Sequence, residues 1–192
     1  MSNSFRPLRT AEDMYDYCET YNLGLTNSKK SDLKRFELIR SHLSPGEAIL
    51  TVFIGLHNFK GNANHEGMCA YAVTSKRIVI AQNRILGDFI KSISIDNLND
   101  ISFSSGFFRD IIDIDTIKEH FVVSVPHGCG EPIHECIHQA IEMARQSGSS
   151  MVSEQSTAHS DADEIMKFKK LLDDGIITVS YTHLRAHETL RH

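Results

Sequence analysis

The feature that most constrains the fold is a series of seven short segments between residues 47 and 125 that are rich in β-branched and aromatic residues. Polar, turn-forming stretches separate them, and no helical pattern lies between them. Short strands at this spacing are typical of an antiparallel sandwich or a partly open barrel, because a parallel sheet requires helical crossovers. Phe53, Val79 and Ile95 are predicted to be core residues, since each lies within such a segment. The predicted strands are Glu47–Leu56, Met68–Val73, Arg77–Ala81, Arg84–Ile95, Ile101–Ser105, Asp110–Asp115 and Glu119–Val125.

Helical segments are predicted on both sides of the strands. Thr10 is a suitable N-cap for a first helix, Gly24 is its predicted end, and a second helix is predicted to begin near Ser28 or Ser31. After the last strand, apolar residues between 133 and 144 recur on one helical face. Helices this short are unstable alone, so the first two should pack on the sheet, and the last one can cap an open end of a barrel. The predicted fold class is therefore mainly β with flanking helices (α+β).

The composition excludes several classes of protein. The chain carries 20 basic and 25 acidic residues, and residues 46–146 alone carry eight basic and twelve acidic residues. Bulk nucleic-acid binding is not expected, because it needs a basic surface. No run of ~18 apolar residues is present, so no membrane-spanning helix is expected. Four scattered cysteines and an N-terminus without an apolar stretch favour a cytoplasmic protein.

A cluster of cysteines and histidines follows the last predicted strand. Cys129, His134 and His138 are candidate zinc ligands, because thiolate and imidazole are usual ligands of zinc and the two histidines are four residues apart on one helical face. Cys136 projects onto the opposite, apolar face and is left out of that set. The alternative is a buried Cys136, two exposed histidines and a structural glycine turn. No metal or other cofactor is therefore assigned to the chain.

No group of residues has the spacing of a catalytic site. Asp113 and Asp115 lie two residues apart on one face of a predicted strand, and Asp110 faces the other way. This pattern indicates a solvated strand face rather than a pair of catalytic carboxylates. No Ser-His-Asp arrangement and no phosphate-binding loop is recognisable, so the chain is predicted not to be an enzyme.

Four motifs resemble those of a known family. They are LSPGEAIL at residues 43–50, VTSKRIVIAQ at 73–82, ISIDNLNDI at 93–101 and TIKE at 116–119. Through these motifs, residues 44–125 resemble bacterial PH-like domains of the YokE-like type. The N-terminal helical pair also resembles the N-terminal extension of that family, so the resemblance covers most of residues 10–146. It implies a seven-stranded antiparallel PH-like barrel capped by a C-terminal helix, in agreement with the strands predicted independently.

The same resemblance raises the question of an anion site. In eukaryotic PH domains, basic residues near the first loops hold phosphoinositide headgroups. Lys60, in the loop after the first strand, and Lys76 and Arg77, in a turn between strands, are the candidate residues for such a role here. The alternative for Lys76 and Arg77 is that they fix a hairpin, and the net acidic charge of the segment favours that alternative.

The C-terminal part resembles a second known module. Residues 163–178 (DEIMKFKKLLDDGIIT) resemble the first half of a SHOCT module, a short C-terminal domain of many bacterial proteins. Residues 179–192 are similar to a peptide translated from sequencing-adapter DNA at the ends of unrelated proteins. The predicted organisation is a helical extension at 1–45, a PH-like barrel at 46–146, a flexible linker at 147–162, a partial SHOCT module at 163–178 and a non-native tail at 179–192.

These features predict a non-enzymatic bacterial interaction or scaffolding module. Its expected partner is an unknown protein or peptide, bound at an open sheet edge or in the groove beside the terminal helix. The SHOCT helix is expected to serve docking or homo-oligomerisation. The alternative is a peripheral membrane-lipid or small-ligand binding module, and a metal-dependent enzyme is a third interpretation.

Overall fold

The structure is a computed structural model that describes residues 8–146. The chain divides into two units, Met1–Gly148 and Ser149–His192, and the described residues all belong to the first. The predicted linker at 147–162, the partial SHOCT module at 163–178 and the tail at 179–192 lie outside the described residues. Those three assignments therefore stay predictions.

Seven antiparallel strands form one continuous sheet, which confirms the predicted fold class. In sheet order the strands run β4-β3-β2-β1-β7-β6-β5, so β4 and β5 are the terminal strands. Within the described residues, β1 and β7 are paired at one position, where Leu56 lies opposite Ser124. The strands are β1 (Ile49–Leu56), β2 (Met68–Thr74), β3 (Arg77–Gln82), β4 (Phe89–Ser94), β5 (Leu98–Ser105), β6 (Arg109–Thr116) and β7 (His120–Pro126).

The core covers both faces of β1, β2 and β3, along which consecutive residues are buried. Phe53, Val79 and Ile95 are all buried, as predicted. Phe53 stacks on Tyr71 with the ring centroids 4.6 Å apart. Ile95 belongs to a short 3₁₀ turn, Ile95–Asn97, rather than to a strand. Buried and half-buried residues alternate regularly along β6, as expected for a strand that covers a core on one face.

The fourth predicted strand is wrong at its N-terminal end. The prediction began it at Arg84, whereas β4 begins at Phe89. Residues 83–88 form the loop between β3 and β4, where Gly87 adopts a φ of 88°. A backbone in that left-handed region breaks a strand. The apolar residues Ile85 and Leu86, which suggested a strand, therefore lie at a loop tip.

Two N-terminal helices, α1 (Ala11–Tyr21) and α2 (Lys29–Ser41), precede the sheet. The predicted N-cap of α1 is confirmed, because Thr10 and Asp13 form a reciprocal capping box. The predicted end at Gly24 is wrong: Asn22, with a φ of 56°, is the C-cap. Asparagine tolerates this left-handed conformation because its side chain can form local hydrogen bonds. Ser28 is the N-cap of α2, in agreement with one of the two predicted starts of this helix, Ser28 and Ser31.

The segment between α1 and α2 reaches the middle of β1. The Ile54 N–H donates to the Leu23 carbonyl at 3.1 Å, and the Cys18 thiol donates to the Val52 carbonyl at 3.4 Å. Met14 and Phe36 on the two helices are fully buried in the same apolar cluster as the strands. The helices thus pack on the sheet, as predicted, and the core is continuous across the predicted boundary at residues 45 and 46.

A third helix, α3, covers residues 130–146 to the end of the described chain. Its apolar face is buried against the sheet, which confirms that the last strand is followed by a capping helix. The buried residues of α3 include Ile133, Ile137, Ala140, Ile141 and Ala144. None of the helices within residues 8–146 is long and apolar enough to cross a membrane.

Candidate binding surface

Three loops meet at one end of the sheet. Strands β1, β3 and β6 run in the same direction, because each is separated from the next by one antiparallel neighbour. The loops that follow them, residues 57–67, 83–88 and 117–119, therefore emerge on the same side. The contacts that join these parts include an ion pair between Lys91 of β4 and Glu119 and a hydrogen bond from the Phe59 N–H to the Val122 carbonyl at 2.9 Å. We call these three loops the loop end.

The loop end exposes large aliphatic side chains. Ile85 is 103% exposed, Leu86 is 96% exposed and Ile117 is 66% exposed. A single exposed aliphatic residue is common on protein surfaces, but two adjacent ones at a loop tip with a third on a neighbouring loop form an unusual apolar feature. Such a projecting surface is suited to insertion into an apolar cleft or an apolar phase.

A buried aromatic cluster supports the loop end from below. His57, at the end of β1, is 1% exposed. Its ring contacts those of Phe89 and Phe121 at 5.9 and 5.4 Å. Burial lowers the pKa of His57, and the charges of Lys91 and Arg84 lower it further. Burial also raises the pKa of Tyr71 far above its usual range, so the hydroxyl keeps its proton, and it forms a hydrogen bond with His57 Nδ1 at 2.6 Å. The neutral pair fixes the base of the loops.

The charges at the loop end are mostly paired. Arg84 lies 4.0 Å from Glu66 and stacks on the ring of Phe89. Lys91 is paired with Glu119 and lies over the ring of Phe121. Lys60, one of the three basic residues predicted for a headgroup site, is exposed in the first loop. The loop end therefore offers apolar area with few free positive charges.

The structure does not bring the three basic candidates together. Lys76 lies in the turn between β2 and β3 and Arg77 is the first residue of β3, at the opposite end of the sheet from Lys60. The guanidinium of Arg77 binds both oxygens of Glu47, with Nε to Oε1 at 2.9 Å and Nη2 to Oε2 at 3.0 Å. The same guanidinium donates to the His42 carbonyl and to Ser92. The guanidinium of Arg77 is thus engaged within the fold by Glu47, His42 and Ser92.

The candidate zinc ligands are also separated. The Cys129 thiol is buried and donates to Asn22 Oδ1 at 3.4 Å, on the side of α1. Burial raises its pKa, which disfavours the thiolate that binds metal. No group of three or more His, Cys, Asp or Glu residues within 8–146 is placed to hold a metal ion. His134 and His138 do lie together, and both approach the Ile101 carbonyl. They therefore occupy part of the β5 edge beside α3, where a peptide groove was expected.

The interpretation of Asp110 as part of a solvated strand face is wrong. Asp110 is 2% exposed, and its Oδ2 accepts hydrogen bonds from the backbone N–H groups of Gly128 and Gly130 at 2.8 and 3.0 Å. Its Oδ1 accepts from Ser105 and lies 3.1 Å from His127 Nδ1. The carboxylate compensates the free N–H groups at the start of α3. Only the pairing of a strand with a distant helix reveals this role.

The exposed pair at the loop tip was also missed from the sequence. Ile85 and Leu86 continue an apolar pattern, so the periodicity predicted them in a strand. A signal was nevertheless present, because Asn83 and Gly87–Asp88 are turn-forming residues on both sides of the pair. Apolar residues enclosed by turn signals are candidates for an exposed loop tip.

Comparison with known proteins gives a family and weak structural likenesses. A family model described as a bacterial PH domain matches residues 43–168. No curated protein matches the chain. The hSac2 domain from human phosphoinositide phosphatase Sac2 is 14% identical with a TM-score of 0.39, covering 62% of this chain and 86% of its own. A structure of the Vav1 exchange factor, described for the structural role of its PH and C1 domains, is 9% identical with a TM-score of 0.35, covering 70% of this chain and 32% of its own.

Proposed function

The chain belongs to the bacterial PH domain family, and we propose that it is a non-catalytic interaction module whose loop end binds an apolar cleft on a partner protein. PH domains commonly bind proteins or lipids. The observation that carries the proposal is the exposure of Ile85 and Leu86 at one loop tip, with Ile117 also exposed in another loop at the same end of the sheet.

The physical reason is the free energy of burying these side chains. Full burial of an Ile or Leu side chain contributes about 1.5–3 kcal/mol. The neutral His57–Tyr71 pair and the aromatic rings below the loops hold the loop bases in place. A rigid base reduces the entropy that the loops lose when they bind. The loop end is therefore suited to supply an apolar anchor to an interface.

The charges favour a protein cleft over an anionic bilayer. Recognition of anionic lipids typically uses clusters of four to eight lysine and arginine residues. Arg84 and Lys91 are engaged with Glu66 and Glu119, which leaves Lys60 and Lys118 as exposed lysines of the three loops. Residues 46–146 carry twelve acidic and eight basic groups, so the wider field opposes an anionic surface.

The C-terminal helix predicted at residues 163–178 forms a second part of the proposal. Its sequence places Ile165, Phe168, Leu171 and Leu172 on one face. We expect this apolar face to dock on a partner or on a second copy of the chain. We further expect the protein to act in the cytoplasm, in line with its four scattered cysteines.

A matched pair of surface variants tests the proposal. The double variant I85S/L86S removes the apolar loop tip, and F107S/F108S removes a similarly exposed aromatic pair from the opposite end, between β5 and β6. Because all four side chains are exposed, both variants should unfold at the same temperature as the wild type. Proteins captured from the native host by the full chain are quantified for each variant, and vesicles with and without anionic lipid are sedimented with each.

The expected result is that I85S/L86S loses a stoichiometric protein partner that F107S/F108S and the wild type retain. Equal capture by all three chains would contradict the assignment of the loop end as the binding surface. Binding to vesicles that is lost only in I85S/L86S would instead favour the alternative of a peripheral lipid-binding module.

A further inference from the structure

Helix α3 and strand β5 bring three electron-pair donors into one small triangle. His134 Nε2 and His138 Nε2 lie 3.1 Å apart. The Ile101 carbonyl oxygen lies 3.2 Å from the first nitrogen and 3.3 Å from the second. The two imidazole rings cross at 63°, and the ring of His134 also contacts Phe103. The contacts with Phe103, between the two rings and with strand β5 thus fix the positions of the two nitrogens and the carbonyl oxygen.

Protons alone do not satisfy this triangle. A carbonyl oxygen only accepts, so each imidazole nitrogen that binds it must carry a proton. If both nitrogens are protonated, two donors face each other across 3.1 Å. If one of them is deprotonated, that nitrogen and the carbonyl oxygen face each other as two acceptors. Every neutral arrangement therefore leaves one edge of the triangle with like groups opposed.

A metal cation satisfies all three edges at once. In a tetrahedral site with metal–nitrogen and metal–oxygen bonds of about 2.0–2.1 Å, neighbouring ligand atoms are about 3.3 Å apart. The three observed edges of 3.1, 3.2 and 3.3 Å match one triangular face of such a site. From this match we propose that His134, His138 and the Ile101 carbonyl bind a divalent transition-metal ion that accepts imidazole ligands, with zinc as the representative.

The surroundings of the triangle agree with a cation. His138 is exposed and His134 is half-buried, so one coordination position faces outward and remains available to water or to a donor from a binding partner. Strand β5 is a terminal strand of the sheet, so its outer edge has no strand neighbour in the described part of the chain. The acidic balance of residues 46–146 favours a positive ion. The ion would fasten α3 to the free edge of β5.

The experiment is a zinc titration of the full chain and of matched variants. H134Q and H138Q each remove one imidazole while keeping a side-chain amide that can still donate to the Ile101 carbonyl. H120Q is the control, because His120 is exposed at the start of β7 and lies against Asp113. The chain carries 11 histidines, among them His183, His187 and His192, so total zinc uptake is not the readout. The readouts are the affinity of the first equivalent, the thermal midpoint with and without zinc, and the imidazole ¹⁵N resonances.

We expect wild type and H120Q to bind one tight equivalent that raises the thermal midpoint. Loss of a residue that only supports a metal ligand costs metal sites about 10–100-fold in affinity, so loss of a ligand itself in H134Q or H138Q should cost at least about tenfold. The Nε2 resonances of His134 and His138 should shift on binding. Identical first-equivalent affinity in H138Q and wild type, or unchanged resonances of both histidines at saturation, would overturn the site. Since H138Q alters an exposed residue, its folding is not at risk.

Discussion

Asp110 shows how one buried carboxylate can join a strand to a helix that follows it by twenty residues. Burial of the carboxyl raises its pKa, but the hydrogen bonds from Gly130, Ser105, Gly128 and His127 outweigh burial and hold the pKa below its usual value. The charged form is therefore the one that the folded state prefers. It supplies acceptors for N–H groups that the first turn of α3 leaves without intrahelical partners.

Replacing Asp110 by Asn should destabilise the fold by about 1–3 kcal/mol. The reason is that the amide NH₂ group would face hydrogen-bond donors in place of a carboxylate oxygen that now accepts their hydrogen bonds. The measurement is urea unfolding followed by circular dichroism. Asp113→Asn is the matched control on the same strand, since Asp113 is only half-buried and pairs with an exposed histidine. We expect that control to remain within about 0.5 kcal/mol of wild type. Equal effects of the two substitutions would contradict the role given to Asp110.

Glu47 gives a prediction for the dependence of stability on pH. Burial raises the pKa of its carboxyl, but hydrogen bonds from Arg77, Ser44 and Thr74 outweigh burial and hold the pKa at about 2, against 4.5 for a free glutamate. Between these values the unfolded chain binds a proton that the folded chain does not. The contribution of Glu47 to the free energy of unfolding is therefore fully present above about pH 4.5, and it is lost as the pH drops toward 2.

The expected loss from Glu47 over that interval is on the order of 3 kcal/mol. Asp110 adds to the loss in the same direction, since its pKa is also lowered. The E47Q variant should be less stable at neutral pH and should show a flatter profile between pH 4.5 and 2. Glu37→Gln provides the comparison, because Glu37 forms an exposed pair with Arg40. A profile of E47Q as steep as that of wild type would refute this assignment.

At the scale of elements, the turn between α1 and α2 depends on a close approach to β1. Gly24 has a φ of 79°, and a Cβ built there would lie 2.2 Å from the Ile54 carbonyl oxygen. No side chain of any size fits at that distance from backbone. The turn can pass along the middle of β1 only because residue 24 has no side chain.

Gly24→Ala should therefore cost about 3 kcal/mol or more, from backbone strain and displacement of the turn together. Gly87 is the matched control: its φ is 88°, but nothing lies within 4 Å of the Cβ position. Gly87→Ala should show the left-handed strain alone, about 1–2 kcal/mol. Thermal or urea unfolding of the two variants compares the costs directly. If both substitutions cost the same, the contact between the turn and β1 has no energetic weight.

For the whole molecule, the N-terminal helices and the sheet share one core. Met14, Leu23 and Phe36 are fully buried in the cluster that contains the strand residues. The Tyr17 hydroxyl lies 3.2 Å from Thr51 Oγ1 and 3.6 Å from the Cys136 sulfur of α3. Contacts from α1 thus reach both β1 and α3. A barrel segment that begins at residue 46 would lack these partners.

Deletion of residues 1–45 should abolish cooperative unfolding, because the Ile54 N–H loses its partner and the apolar surface under α1 and α2 becomes exposed. Residues 1–148 should retain a single cooperative transition with the midpoint of the full chain. Both predictions are checked by urea titration followed by far-ultraviolet circular dichroism. A cooperative transition in the deletion variant would show that the helical extension is dispensable for the fold.

The seven strands and the helical positions could be predicted from local patterns, with small errors at their ends. Runs of β-branched residues and the turn residues between them act over a few positions, so they can be recognised without the fold. The pattern failed at Ile85 and Leu86, where an apolar pair belongs to a loop. It failed again at Asp110. The alternation of residues along the strand correctly placed Asp110 on the face opposite Asp113 and Asp115, but the side chain is buried rather than solvated.

The sequence by itself determined the class of fold, the capping box of α1 and the burial of Phe53, Val79 and Ile95. Only the tertiary structure decided which polar groups meet: Arg77 with Glu47, Asp110 with the start of α3, and His134 and His138 with the Ile101 carbonyl. The partners in these contacts lie between 18 and 37 residues apart in the chain. Periodicity describes neighbours along one element, whereas such contacts depend on how separate elements pack, and that packing is fixed by the shared core.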